Sequence, residues 1–407
     1  DKEMVNVIGW RLDEVVELIR GDKHSLVRLE VIPTESKLDT ETEIIPIIRD
    51  KVKLEEQAAS SSKIDIERDG KKHTIGVIDL PTFYADFQAM QQGDPNYKST
   101  TRDVLKLLNE LQTESNIDGL VIDLRGNGGG SLDEANRLTG LFINEGPTVQ
   151  VRSANDRVEV LEDPDPELVY NGPLVVLVDR LSASASEIFA GAIQDYGRGI
   201  IMGSQTFGKG TVQSVRPLNH GQLKITQAKF YRISGASTQH KGVVPDIIMP
   251  ALIDKTKVGE DSLEHALKWD SIESAKFQNL NYVEGVSERL NEQHMKRIVL
   301  EPEYNILLEE IALLETQRTK DRVTLNKKER EFENLTFDKA QLTIINKRRD
   351  LDKLEPFKSI DDWTEFQKEQ ASKTEDDKDK ADFVIKESAE VLLDFVELQE
   401  VLTAKAA

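Results

Sequence analysis

The chain has 407 residues, 38% of them hydrophobic, with 53 Lys and Arg against 74 Asp and Glu and a formal charge of −21. That balance disfavours nucleic acid and anionic membrane as main partners, because both repel an acidic surface. Cysteine is absent, which excludes disulfides, thiolate catalysis and cysteine-ligated metal.

The length suffices for two or three domains with a core, and no apolar run reaches the roughly 18 to 20 residues of a membrane span. The opening residues, DKEMVNVIGW, have neither a basic flank nor an apolar signal region, and no initiator Met. That start is expected of a mature protein or an excised fragment. Leu12, Val15, Val16 and Ile19 then fall at helical spacing, with Gly21 in the C′ position. Val27, Leu29 and Val31 alternate as in a half-buried strand. One helix and a strand or two cannot bury a core, so residues 1–60 read as the back half of a small β-rich domain.

From HTIGVIDL onward the pattern is strand, helix, strand. TTRDVLKLLNELQTES carries Val104, Leu107, Leu108 and Leu111 on one face, with Thr100 and Asp103 spaced as a capping box. GLVIDL and GPLVVLVD are short apolar runs of the buried-strand kind, and LKITQAKFYRI is a later strand. The alternation predicts an α/β layer around a core sheet over residues 61–255. Beyond Pro250, Tyr304, Leu307, Leu308, Ile311 and Leu314 mark one amphipathic helix; Val384, Ser388, Val391, Phe395 and Leu398 mark another. The charged FQKEQASKTEDDKDKAD between them is expected to be mobile, and residues 256–407 read as an α-helical domain.

The chemistry concentrates around LSASASE, residues 181–187. Its serines fall where a buried strand turns into a helix. The bland reading is a capping box of Ser184 and Glu187, worth about 1 kcal/mol. The sharper one is a nucleophile, since a helix N-terminus offers free N–H groups to developing negative charge. Ser182 precedes the helix and Ser186 lies inside its first turn, which leaves Ser184 the best placed.

None of the six histidines sits in a motif that suggests a base. Lys209 does, between Gly208 and Gly210 and after the apolar GIIMG. A lysine buried against an apolar wall loses solvation, its pKa falls, and its neutral amine can take the serine proton. Gln213, four residues on, can accept a hydrogen bond from the amine and orient it. Taken alone, a surface lysine in a glycine-rich turn is the simpler account. In DLRGNGGGSLDEA the glycines follow a strand and precede a helix. Phosphate is one candidate anion, although the Lys and Ser/Thr of a Walker A loop are missing; the alternative is a tetrahedral oxyanion, held by Gly129 N–H together with Ala185 N–H. A plain tight turn is the bland alternative.

DLRGNGGG, DRLSASASEIFAGAIQDYG, TFGKGTVQ and KGVVPDIIMP, in that order, closely resemble the tail-specific (C-terminal processing) serine proteases, over about Asp1 through Trp269. The remainder resembles more loosely the helical extension of bacterial periplasmic members. The resemblance implies a core of the Clp protease and crotonase kind, preceded by a truncated PDZ domain. It implies Ser184 as nucleophile, Lys209 as general base, Gln213 orienting the lysine, and an oxyanion hole at Gly129 with Gly128 and Gly130 close by. Some family assignments add the aspartate of QDYG, Asp195, which helical geometry puts about 16 Å from Ser184 and thus in a structural role.

Further implications are protein substrates with exposed apolar C-termini, no metal or cofactor, an adaptor protein on the helical regions, and a periplasmic location. Activity should climb as pH rises through a depressed lysine pKa, and Lys209→Ala should abolish it. The rivals are a crotonase-like acyl-thioester enzyme, with no role for Ser184, and a catalytically silent peptide-binding scaffold.

Overall fold

A computed structural model of the chain describes residues 4–10, 12–32, 42–50, 57–163, 165–283, 285–371 and 382–406. Residues 1–56 and 57–407 are two compact units. The first contains helix α1 (Leu12–Ile19) and strands β1 (Leu26–Val31) and β2 (Glu43–Ile48), the strands antiparallel with Leu29 opposite Ile45. Val27, Leu29 and Val31 are the partly buried positions of β1, as their alternation predicts. Gly21 does not take the positive φ expected of a left-handed cap. The space left by its missing side chain admits the Arg49 guanidinium, and Arg49 donates from Nε to Ile19 O (2.6 Å) and from Nη2 to Leu18 O (3.1 Å). A cation thus caps the helix end in place of the backbone turn.

The second unit runs β3 (Ser60–Arg68), β4 (Lys71–Asp79), α2 (Phe87–Gln91), α3 (Thr100–Ser115), β5 (Gly119–Asp123), α4 (Leu132–Gly140), β6 (Gly146–Ser153), β7 (Val158–Asp163), β8 (Leu174–Val178), α5 (Ala185–Asp195), β9 (Ile200–Gly203), β10 (Thr211–Pro217), β11 (Gln222–Tyr231), β12 (Ile247–Ile248), α6 (Ser287–Ile298), α7 (Pro302–Arg318), α8 (Lys327–Leu351), α9 (Ile360–Ala371) and α10 (Phe383–Ala406). Its main sheet has the order β12-β9-β8-β5-β4-β3. All its pairings are parallel except the β3–β4 hairpin. A second, antiparallel sheet has the order β10-β11-β6-β7.

Period-2 alternation divides the main sheet between two cores. Ile78, Leu120, Ile122, Val176 and Ile201 face Val104, Leu108, Leu138, Ile188 and Phe189 of α3, α4 and α5. Val77, Val121, Val175, Leu177 and Met202 face Leu290 and Ile298 of α6 and Val391, Leu392 and Phe395 of α10. Each such fully buried side chain contributes about 1.5–3 kcal/mol. Charges pin α10 there as well. Arg68 reaches Glu390, Asp394 (2.9 Å) and Glu397 (3.0 Å), while Arg297 of α6 pairs with Glu387 (2.7 Å) and Asp394 (2.8 Å). The last described helix therefore belongs to the core of the sheet.

The helix over Thr100–Ser115 matches its periodicity, but its capping box does not form. Ser99 occupies the N-cap position. The Thr100 hydroxyl instead accepts from Tyr84 N (2.8 Å), and Asp103 accepts from Tyr84 Oη (2.6 Å), so both residues serve a tertiary contact. Of the segment expected to be mobile, residues 372–381 lie outside the described residues; its first part, through Ala371, belongs to α9.

Candidate active site

Three neighbouring strands of the main sheet, β5, β8 and β9, end on the same edge. The carboxyl ends of parallel strands are where α/β sheets bind ligands. The loop after β5 carries the glycines 126–130, the turn after β8 carries the serines, and the turn after β9 carries Lys209.

The serines differ in what their hydroxyls do. Ser182 is buried and donates to Leu124 O (2.8 Å), and Ser186 is buried and donates to Asn127 O (2.9 Å). Ser184 is half-buried, and its hydroxyl donates no hydrogen bond among the described residues. Its backbone has φ 57° and ψ −109°, a region that β-carbons disfavour by about 1–3 kcal/mol. An ordinary N-cap is extended, so this turn is more than a cap. The predicted capping box of Ser184 and Glu187 is present, with Ser184 N donating to Glu187 Oε2 at 2.8 Å.

Glu187 does much more than cap. It has no solvent exposure and accepts four hydrogen bonds: from Ser184 N and Lys209 N (2.9 Å) on Oε2, and from Thr206 Oγ1 (2.6 Å) and Gly208 N (2.7 Å) on Oε1. One carboxylate oxygen thus joins the backbones of Ser184 and Lys209. Burial pushes this carboxyl up to about 7, against donors that favour its charged form. A second tie, Phe207 N to Ser182 O (3.0 Å), closes the two turns on each other.

Lys209 is half-buried. Burial, and secondarily the Lys224 ammonium, lower its amine below the ordinary lysine value; the Glu260 and Glu187 carboxylates oppose them. The expected hydrogen bond with Gln213 is not formed. Gln213 is exposed on β10, beyond a register shift at Val212/Gln213, and its side-chain amide donates to Thr226 Oγ1 (3.3 Å). The bulge turns that side chain along its own sheet.

The glycine loop lies against the serine turn. Gly129 has φ +100°, and a β-carbon there would come within 2.7 Å of Ala183 O, 2.8 Å of Ser184 Cβ and 3.0 Å of Ala185 N. Only glycine permits both the dihedral and the approach. The expected donor at Gly129 is, however, already engaged, because its N–H donates to Asn127 Oδ1 (2.9 Å). The amides of Gly128, Gly130 and Ala185 make no hydrogen bond among the described residues. Asn127 is the residue that sequence reasoning missed. Its side chain also donates to Leu80 O (2.7 Å), and its carbonyl accepts from Ala183 N (3.0 Å) and Ser186 Oγ. It locks loop to turn, and a lone asparagine among glycines carries no signal of such distant partners.

Asp195, at the far end of α5, is held by Arg232 (Nε to Oδ2, 3.1 Å) and by Ser234 Oγ (2.9 Å). It anchors the helix to the segment after β11 and takes no part in the cluster around Ser184.

Comparison with known proteins matches residues 74–249 to Peptidase family S41 and residues 253–397 to the C-terminal domain of tail specific protease. The chain is 42% identical over 406 residues to the Tail-specific protease of Haemophilus influenzae, covering 97% of this chain and 54% of that protein. It is 33% identical over 262 residues to the Carboxy-terminal-processing protease of Bartonella bacilliformis, covering 63% of this chain and 54% of that one. Among solved structures, the photosystem II D1 C-terminal processing protease is 28% identical over 61% of each chain, with a TM-score of 0.42. The chain spans about half the length of the curated relatives it matches. The two matches adjoin in one chain, whose residues 74–249 belong to Peptidase family S41 and whose residues 253–397 belong to the family of the C-terminal domain of tail specific protease.

Proposed function

We propose that the chain is a serine endopeptidase of the C-terminal processing kind, with Ser184 as nucleophile and Lys209 as general base. The observation that carries this reading is the shared Glu187 oxygen, which ties the backbones of Ser184 and Lys209 to one point. Further support comes from the Ser184 hydroxyl, which donates to no described residue, the lowered amine of Lys209 and the peptidase family.

In the reaction the neutral Lys209 amine takes the Ser184 proton as Oγ attacks the scissile carbonyl carbon. The tetrahedral oxyanion receives hydrogen bonds from Ala185 N–H and a free amide of the glycine loop. The C–N bond breaks as the lysine ammonium protonates the leaving amine. Water, deprotonated by the same lysine, then hydrolyses the acyl-enzyme. The acyl-thioester and scaffold alternatives leave the pairing of these two turns without a purpose.

By family, residues 61–255 form the catalytic core, of the Clp protease and crotonase kind, and residues 256–407 the helical domain. Residues 1–60 are the latter part of a PDZ domain. The substrates are proteins with exposed apolar C-termini, an adaptor docks on the helical regions, and the location is periplasmic. Among the described residues no helix is long and apolar enough to cross a membrane.

The test is cleavage of an unfolded reporter with an apolar C-terminus, followed by mass. Ser184→Ala and Lys209→Ala are expected to abolish cleavage, whereas Ser182→Ala and Ser186→Ala keep it at a stability cost of about 1–3 kcal/mol each. Cleavage surviving in either of the first two variants would overturn the dyad.

A further inference from the structure

The turn that carries Lys209 is fixed at nearly every backbone group. Phe207 N donates to Ser182 O, while Gly208 N and Lys209 N donate to Glu187. Gly208 O accepts from His240 N (2.9 Å), and Gly210 O accepts from Phe230 N (2.9 Å). The remaining two anchors both lead to one residue outside the motifs. Glu260 N donates to Phe207 O (2.9 Å). Glu260 Oε1 accepts from Gln239 Nε2 (3.0 Å), and the fully buried Gln239 accepts Gly210 N on its own Oε1 (2.8 Å).

Glu260 is itself held in place. It lies in a strap, residues 252–261, that crosses beside the serine turn. The buried Arg180 donates from Nε to Val258 O (2.6 Å), from Nη1 to Thr206 O (2.6 Å) and from Nη2 to Lys255 O (3.1 Å) and Asp261 Oδ1 (2.6 Å). Arg318, at the end of α7, donates to Leu252 O. The strap therefore starts at the helical region and ends on the lysine turn.

We propose that Glu260 is a positioning residue for Lys209, gripping the 207–210 turn at both ends while holding its carboxylate charge toward the lysine amine. This rests on the reading of Lys209 as general base. The charged groups that act on that amine are Lys224 from β11, Glu260 from the strap and Glu187 from α5. Glu260 and Glu187 favour the ammonium form and Lys224 the free amine. The strap thereby sets the pH at which the base becomes available, and burial alone would carry the amine lower.

The experiment uses the whole chain with 13Cε-labelled lysine, the Lys209 resonance being identified by its loss in Lys209→Arg. Its pH titration is read in the wild type and in Glu260→Gln, Glu260→Asp and Lys224→Gln. The expected result is a midpoint lower in Glu260→Gln than in the wild type, restored toward wild type by Glu260→Asp and raised in Lys224→Gln. Thermal unfolding monitors folding, and a purely structural role for Glu260 would lower stability without moving the midpoint. An unmoved midpoint in folded Glu260→Gln overturns the inference. Cleavage by Lys209→Ala would instead overturn the dyad, a result read in a separate assay.

Discussion

Replacing Gly129 with alanine separates packing at the glycine loop from simple loop strain. The new β-carbon meets Ala183 O at 2.7 Å, Ser184 Cβ at 2.8 Å and Ala185 N at 3.0 Å, in a backbone at φ +100°. The dihedral costs about 1–2 kcal/mol and the overlap about 1–3 kcal/mol more. Relief requires the loop to back away from the serine turn, and a displacement on the order of 1 Å there costs about 100-fold in rate. At roughly 2 °C per kcal/mol for a unit of this size, the melting temperature falls by about 4–10 °C. Gly126→Ala is the control, because Gly126 has φ +73° in the same loop but a β-carbon there would meet nothing within 4 Å. It should lose only the dihedral term, about 1–2 kcal/mol, and keep its turnover. The assay is kcat on the unfolded reporter beside calorimetry of both variants. Unchanged kcat in Gly129→Ala, with the expected loss of stability, would refute the placement of this loop in the site.

Two further outcomes concern residues distant from the cluster. Asp195→Asn removes the charge facing Arg232, so melting should fall by several degrees while kcat at a temperature where the protein is folded stays within a few-fold of wild type; a selective collapse of kcat would give Asp195 a direct role. Leu392→Ala empties a fully buried position of α10, costing about 2–5 kcal/mol. It should lower the single unfolding transition of residues 57–407, and separate melting of α10 ahead of the sheet would contradict a shared core.

The motifs that meet at the candidate site were legible because each is local: a strand, a turn of small residues and a helix start, all within a few positions. The selection of Ser184 over Ser182 and Ser186 also followed from local helix geometry. What escaped depends on distant partners. Glu187 reads as a cap at i+3 from Ser184, but its second pair of donors, Thr206 and Gly208, comes about twenty residues later. Gln213 fails to reach Lys209 because of a bulge set by pairing with β11, which no spacing along the chain discloses. The edge strands β7 and β10 and the role of α10 in the sheet's second face were invisible for the same reason. Val391, Leu392 and Phe395 show that a helix is amphipathic, not which surface it covers.

The hold of α10 on β3 bears on when the protein can finish folding. Arg68 and its acidic partners are more than 320 positions apart in the chain, so these contacts form only after nearly all the described residues have left the ribosome. Until then one side of the parallel sheet, with Val121, Val175 and Leu177, has only the partial cover of α6. Such long-range closure is slow and leaves a nascent chain exposed to aggregation. It also delays a stable main sheet until the α10 segment has been made.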